Sequence, residues 1–395
     1  MTSNIFLPVG IFRRIDDGIK AYVPQLDKPT IWIHIDSMDC IDLVRPIIVR
    51  LASNLRCILL LTVSSERDKG ALMKEYISHI DHIFVLPADT LSNAAFFIEQ
   101  AKPDVAVFAA SKCYSNYLVL LRSNHIPSFL IAAYAFPRFP IFFKWSGTLN
   151  TRKLRRFSHI FVMDRKAVNY LRKQGISHVY LMVNPLMDES LMESRDEYCD
   201  SIIEKFAADE KAVFIAGNID SDMELKLVAG YVNANPHGKC ILIPHSISEE
   251  HLDRIKYKLD GKTLLYSECD ENTDFSDVQT LVIDFLGSAK FIYRYGSYAY
   301  VGGESASCQQ NVFEAIAQRL PTAFGPRTAE RIMYRQLLNQ RICHVVRSSK
   351  DISRWINGLV SEQDSLGRIN ASVKRYAENH RETIDGICTR IINCL

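Results

Sequence analysis

Asn311 and Glu314 stand three residues apart at the head of a run, Val312 to Arg319, whose apolar residues recur at helical spacing. Ahead of them Tyr298-Ala-Tyr-Val301 reads as a buried strand, and Gly302-Gly303 lets the backbone turn sharply where a Cβ would clash. Strand, glycine turn and helix N-terminus together make an anion site. The first-turn N–H groups and the macrodipole favour a phosphate there by roughly 0.3 to 1 kcal/mol before direct hydrogen bonds are added. Glu314, near such a phosphate, could accept hydrogen bonds from ribose hydroxyls. The same spacing also fits a plain helix cap, with Asn311 as the cap and Glu314 reaching back to its N–H, and spacing alone leaves both readings open. His245, just past the apolar run Cys240 to Ile243, is similarly divided between a loop contact and a place beside a bound nucleotide.

The elements that must position these residues follow a regular rhythm. Apolar, β-rich runs recur at Ile31 to His34, Cys57 to Thr62, His82 to Leu86, Val105 to Phe108, Phe129 to Ala132, His159 to Met163 and Val179 to Met182. Segments with helical spacing lie between most of them, such as Ile41 to Asn54 and Tyr114 to Ser123. An acidic stretch, Asp188 to Lys211, interrupts the pattern. It restarts at Val213 to Ala216, Cys240 to Ile243, Leu264 to Tyr266, Thr280 to Ile283, Tyr298 to Val301, Thr322 to Phe324 and Ile342 to Val346. Strand and helix in alternation predict an α/β protein of two Rossmann-like, doubly wound domains facing a cleft at the carboxyl ends of their strands. The expected boundaries are 1–187 for the N-terminal domain, 188–211 for a linker, 212–360 for the C-terminal domain and 361–395 for a helical segment that could pack on either.

Bulk properties agree. A chain of 395 residues exceeds the size of one typical core, and 48% hydrophobic with 23% charged residues is an ordinary globular mixture. A formal charge of +2 argues against a nucleic-acid partner. The ten cysteines are scattered with no C-x-x-C pair, so no metal site is expected and reduced thiols are. Met1 to Lys20 carries Arg13, Arg14, Asp16 and Asp17 and no apolar run of signal-peptide or membrane-span length, which predicts a cytoplasmic protein.

Three blocks resemble the C-terminal signature of the bacterial Kdo (3-deoxy-D-manno-octulosonic acid) transferases: Tyr298-Ala-Tyr-Val-Gly-Gly303, Gln310-Asn-Val-Phe-Glu-Ala-Ile-Ala317 and Leu320-Pro-Thr-Ala-Phe-Gly-Pro326. Phe291-Ile-Tyr-Arg-Tyr-Gly296 is similar to the Bacteroidetes-type members. Phe214-Ile-Ala-Gly217, Ile243-Pro-His245 and Ile283-Asp284 with Gly287 match further, as do Ile31-Trp-Ile-His34, Arg45-Pro46, Pro103-Asp104 and Ile141-Phe-Phe-Lys144 in the N-terminal half. The resemblance runs from about Ile31 to Val346. It implies a GT-B glycosyltransferase that moves Kdo from CMP-Kdo to a lipid A precursor, acting in lipopolysaccharide biosynthesis without a cofactor. It also implies a donor site in the C-terminal domain: Gly217 allowing close backbone approach, Pro244 and His245 beside base or phosphate, Gly287 and Ser288 presenting N–H groups, Gly302 and Gly303 at the turn, Asn311 and Glu314 on phosphate and ribose.

The chain departs from that pattern on the acceptor side. Where the family places Ser-x-Gly-Glu after its first strand, this chain has Ser37-Met-Asp39-Cys40, so the glutamate expected to take the acceptor proton is replaced by a thiol. Asp36, Asp39 and Asp42 lie close by, and Asp39 is the candidate substitute base. A second family glutamate is replaced by Lys112, ahead of Asn116. Ser37, Lys112 and Asn116 are thus the acceptor-side candidates. The departures leave room for an alternative, a catalytically inactive paralogue that binds nucleotide or glycan as a partner subunit. Finally, the aromatics of Phe136 to Trp145 with Arg152, Lys153, Arg155 and Arg156 fit either peripheral contact with anionic headgroups on the inner face of the membrane or an ordinary core with a solvated basic face.

Overall fold

The computed structural model describes residues 17–25, 27–74, 79–109, 114–131, 151–163, 165–208, 212–285, 287, 289–303, 310–330, 332–361, 365–378 and 383–395. The chain divides into two compact units, one of Met1–Pro185 with His380–Leu395 and one of Leu186–Asn379.

The first unit is built on seven parallel strands: β1 (Thr30–Ile35), β2 (Ile58–Val63), β3 (His82–Val85), β4 (Val105–Ala109), β5 (Ser128–Ile131), β6 (His159–Val162) and β7 (Val179–Leu181). Their order is β3-β2-β1-β4-β5-β6-β7. The chain winds outward from β1 to β3, then returns to β4 on the other side of β1. The β1/β4 boundary is therefore the point at which strand order reverses. β1, β2 and β4 are buried throughout because helices cover both faces, and so they read as unbroken apolar runs. Alternation sorts their side chains: Trp32, Leu60, Ala106 and Phe108 enter the core on one face, and Ile31, Ile33, Leu59, Leu61, Val105 and Val107 the core on the other.

The second unit repeats the plan with β8 (Val213–Ile219), β9 (Lys239–Pro244), β10 (Thr263–Leu265), β11 (Thr280–Val282), β12 (Tyr298–Val301), β13 (Thr322–Phe324) and β14 (Cys343–Val345). All pairings are parallel and the order is β10-β11-β9-β8-β12-β13-β14, which puts the reversal at β8/β12.

Two segments differ from expectation. Residues 188–211, read as a linker, carry the helices Pro185–Glu193 and Ser201–Ala207 and belong to the second unit. Asp200 caps the latter helix by accepting from the Ile202 and Ile203 N–H groups, while the Tyr198 and Tyr266 hydroxyls donate to its other oxygen. The Arg294 guanidinium donates to the Tyr198 and Asp196 carbonyls beside a stacked Tyr198–Phe291 pair. The acidic composition hid these anchors, because the partners lie far away in sequence. Residues 361–395 do not act as one segment. The helix Ser365–Glu378 lies in the second unit, whereas Ile384–Ile392 returns to the first and buries Ile384, Ile387, Cys388 and Ile391 against the helix Ile41–Asn54. An Arg50–Asp385 ion pair of 2.5 Å edges that contact.

Candidate functional site

Ligands of doubly wound sheets bind outside the carboxyl ends of strands where the order reverses. In the second unit that crevice is made by Gly217-Asn218-Ile219 of β8 and by Gly302-Gly303 after β12. The Gly302 N–H donates to the Gly217 carbonyl at 2.8 Å. A Cβ on Gly302 would lie 2.4 Å from the Asn218 carbonyl oxygen, and Gly303 has φ +126, so both positions demand glycine. The Gly303 N–H donates to Oε1 of Glu224 at 2.9 Å. Oε2 of Glu224 accepts from the Asp220 and Ser221 N–H groups, both at 3.2 Å, closing a reciprocal cap with Ser221 on the helix Asp222–Asn233. Glu224 is 2% exposed. An internal carboxylate thus takes the Gly303 N–H at the turn expected to border the nucleotide.

Gly217 also departs from its expected role. A Cβ there would sit 1.9 Å from the Tyr293 hydroxyl, so the missing side chain makes room for Tyr293 rather than for a nucleotide. Between Gly217 and Ile219 the β8/β9 register shifts, and Asn218 is in the left-handed region at φ +57. Its side chain is buried, with Oδ1 2.9 Å from Nδ1 of His245, while Nδ2 has no hydrogen-bond partner. Pro244 ends β9, and the His245 N–H donates to the Ile219 carbonyl at 3.0 Å, so Pro244 and His245 do reach the crevice. Gly287 is at φ +92 with open space over its Cα; Ser288 lies outside the described residues.

The helix expected to begin near Val312 runs over Gln310–Ala317, placing Asn311 within its first turn instead of at its cap. Oε2 of Glu314 is shut from solvent and has no hydrogen-bond partner. Nearby Glu193 is paired with Lys290 at 2.6 Å. Burial, then the charge of Glu193 with a smaller push from Glu189, outweighs Lys290 and raises the Glu314 carboxyl to about 7.

In the first unit the corresponding reversal is at β1/β4. Asp36 is the first residue beyond β1 and is half-buried; Asp39 follows in the 3₁₀ turn Met38–Cys40, where its backbone alone is described. Burial pushes the Cys40 thiol up to about 12, so it keeps its proton at neutral pH. That S–H donates to Oδ1 of Asp36 at 3.7 Å, with Ser37 Oγ 3.4 Å away. A thiol in this state cannot take a proton from an acceptor hydroxyl, and the Asp36 carboxylate beside it accepts from that thiol. Lys112 lies outside the described residues. Asn116 is committed to the fold: its Nδ2 donates to the Asp89 carbonyl, and the Asp89 carboxylate accepts from the Ser115 and Asn116 N–H groups at 2.8 and 2.9 Å, capping the helix Ser115–Ser123.

Phe136 to Asn150 lie outside the described residues; of the basic residues that follow, Arg155 and Arg156 donate to the Gln174 and Ser115 carbonyls of their own unit. Among the described residues no helix is long and apolar enough to cross a membrane, and no cluster of three or more His, Cys, Asp or Glu could hold a metal.

Sequence reasoning missed Glu224, Asn218, Tyr293 and Asp89. Ser221-Asp-Met-Glu224 does spell a capping box, which could have revealed Glu224. Tyr293 lies in the block Phe291 to Gly296 that the resemblance singled out, without a role attached, while Asn218 and Asp89 carry no local signal.

Residues 13–188 match the family model of 3-deoxy-D-manno-octulosonic-acid transferase (kdotransferase). The 3-deoxy-D-manno-octulosonic acid transferase of Chlamydia trachomatis serovar D is 22% identical over 342 residues, covering 79% of this chain and 74% of the relative. That of Chlamydia pneumoniae is 20% identical over 318 residues, covering 78% and 71%. In fold, the chain is similar to MurG of Acinetobacter baumannii (TM-score 0.57, 8% identity, 92% of this chain and 99% of the other). It is also similar to UDP-GlcNAc 2-epimerase of Neisseria meningitidis, solved bound to UDP-GlcNAc (TM-score 0.53, 12% identity, 92% and 99%). Two parallel doubly wound units and the full-length likeness to these solved structures give the chain the GT-B fold, and its first unit matches the family model of the 3-deoxy-D-manno-octulosonic acid transferases, which the chain resembles over most of its length.

Proposed function

We propose that this protein transfers Kdo or a related acidic sugar from its CMP-activated form to a glycolipid acceptor of the lipid A type, with no cofactor, since the donor brings its own activated bond. The observation that carries the reading is the crevice at β8/β12, where Gly302, Asn218, His245 and the buried cap of Glu224 converge in a chain that resembles this family. The second unit supplies the donor site and the first supplies the acceptor-side groups Asp36, Ser37 and Asp39. The acceptor hydroxyl loses its proton to a carboxylate, its oxygen bonds to the anomeric carbon, and the bond from that carbon to phosphate breaks with its electrons leaving on CMP. Anionic membrane headgroups near Arg152 and Lys153 would bring the protein to its acceptor.

Calorimetric titration with CMP, UDP and ADP tests the donor: CMP is expected to bind, and failure of all three to bind would end the reading. CMP release in the presence of a lipid A precursor tests transfer. A second reading, binding without catalysis, is favoured by one observation, the protonated Cys40 where the family carries a glutamate. It is the reading left standing if CMP binds, Glu314→Ala abolishes that binding, and no acceptor is ever glycosylated.

A further inference from the structure

Asn218 combines three properties that packing alone does not explain. It is 5% exposed, its amide Nδ2 has no hydrogen-bond partner, and its backbone is in a conformation that L residues rarely adopt. Buried donors are almost always satisfied, so an orphan one needs a reason. The backbone supplies part of it: φ +57 with the register shift turns this residue out of the β8 ladder at the carboxyl end of the strand, where ligands of such sheets bind. His245 supplies the rest. In the tautomer with its proton on Nδ1, His245 donates to Oδ1 of Asn218 at 2.9 Å, and this holds the amide so that Nδ2 lies on the edge away from the imidazole. Just past the neighbouring strand, Gly302 leaves no room for a side chain, because a Cβ there would meet the Asn218 carbonyl oxygen at 2.4 Å. The glycine-turn N–H is already bound to Glu224, so it does not serve an incoming anion. Among the described residues at this crevice, the Asn218 Nδ2 is a buried donor that still lacks an acceptor.

We propose that Asn218 is a donor-binding residue whose amide N–H, oriented by His245, hydrogen-bonds a phosphate oxygen of the activated nucleotide. The inference rests on the donor-site reading given above and deepens it. It assigns the phosphate contact to a side chain of β8 in place of the turn after β12.

The test uses the full-length chain and four probes, CMP against cytidine and UMP against uridine. Asn218→Gly keeps the backbone conformation and removes the amide, and Asn218→Asp keeps the shape and replaces the N–H edge with a carboxylate oxygen. A hydrogen bond to a charged group corresponds to roughly 10- to 100-fold in affinity. Asn218→Gly is expected to weaken CMP about tenfold or more, Asn218→Asp to weaken it further, and cytidine binding to Asn218→Gly to stay within about twofold of wild type. CMP binding unchanged in Asn218→Gly would overturn the proposal, as would an equal loss for cytidine, which would place the amide on the nucleoside. If wild type prefers UMP, the same comparison is read with UMP and uridine, and the phosphate assignment stands or falls on it. If wild type binds none of the four, the donor-site reading itself fails and this assignment with it. Thermal unfolding of each variant separates lost contact from lost fold.

Discussion

Glu314, with its carboxyl raised to about 7 by burial and by Glu193, holds a proton in the folded chain that the unfolded chain has released, across the window from its ordinary value of 4.5 upward. The folded state binds more protons there, so this group's contribution to stability is complete below about pH 4.5 and is lost as pH rises through about 7. Glu314→Gln should raise Tm by on the order of 2 °C at about pH 8 and leave it unchanged near pH 4. The same variant should weaken CMP binding if the ionised carboxylate accepts a ribose hydroxyl. Scanning calorimetry at the two pH values decides it; identical Tm differences at both would refute the electrostatic account. Cys40 offers a second check. Its thiol is buried and held protonated, so iodoacetamide at about pH 8 should spare Cys40 in the native protein while reaching the exposed Cys199, slowed there by the Glu204 carboxylate that its S–H donates to, as read by peptide mass spectrometry.

At the scale of elements, Asp89 and Asp200 do comparable work at two helix starts. Removing either by alanine leaves two first-turn N–H groups without an acceptor, and Asp200→Ala also strands the Tyr198 and Tyr266 hydroxyls. Urea denaturation should show losses of about 1 to 2 kcal/mol for Asp89→Ala and more for Asp200→Ala. Equal losses would show that the tyrosine contacts add nothing. These residues also mark the limit of what the sequence made legible. Among the described residues each of the fourteen strands falls on an expected run and the helix Ile41–Asn54 has the expected ends; for strands such as β1, β2 and β4, two-faced burial writes itself as nearly unbroken apolar residues. Tertiary polar contacts leave no such record. Nothing about Asp89 announces a helix twenty-six residues on, and the acidic stretch after Asp188 reads as a linker although Arg294 and Phe291 hold it down. Within the corner proposed for the donor, the roles read from sequence differ from the contacts found: the Gly303 N–H serves Glu224, and the bare Gly217 makes room for Tyr293.

At the scale of the molecule, the return of His380–Leu395 to the first unit predicts an asymmetric effect of shortening the chain. Ending it at Asn379 uncovers the face that Ile384, Ile387 and Ile391 bury, at roughly 1.5 to 3 kcal/mol per side chain. Limited proteolysis should then cut faster within residues 17–185, while CMP titrates as in wild type. Unchanged cleavage there would show that the last helix is dispensable. The same connectivity sets an order of events on the ribosome. The sheet of the first unit is synthesised early, yet the helix that seals its Ile47, Ile48 and Leu51 face emerges only after the whole second unit has been made. For that interval a nascent chain presents an apolar surface to the cytosol or to a chaperone, and its folding cannot be finished domain by domain in the order of translation.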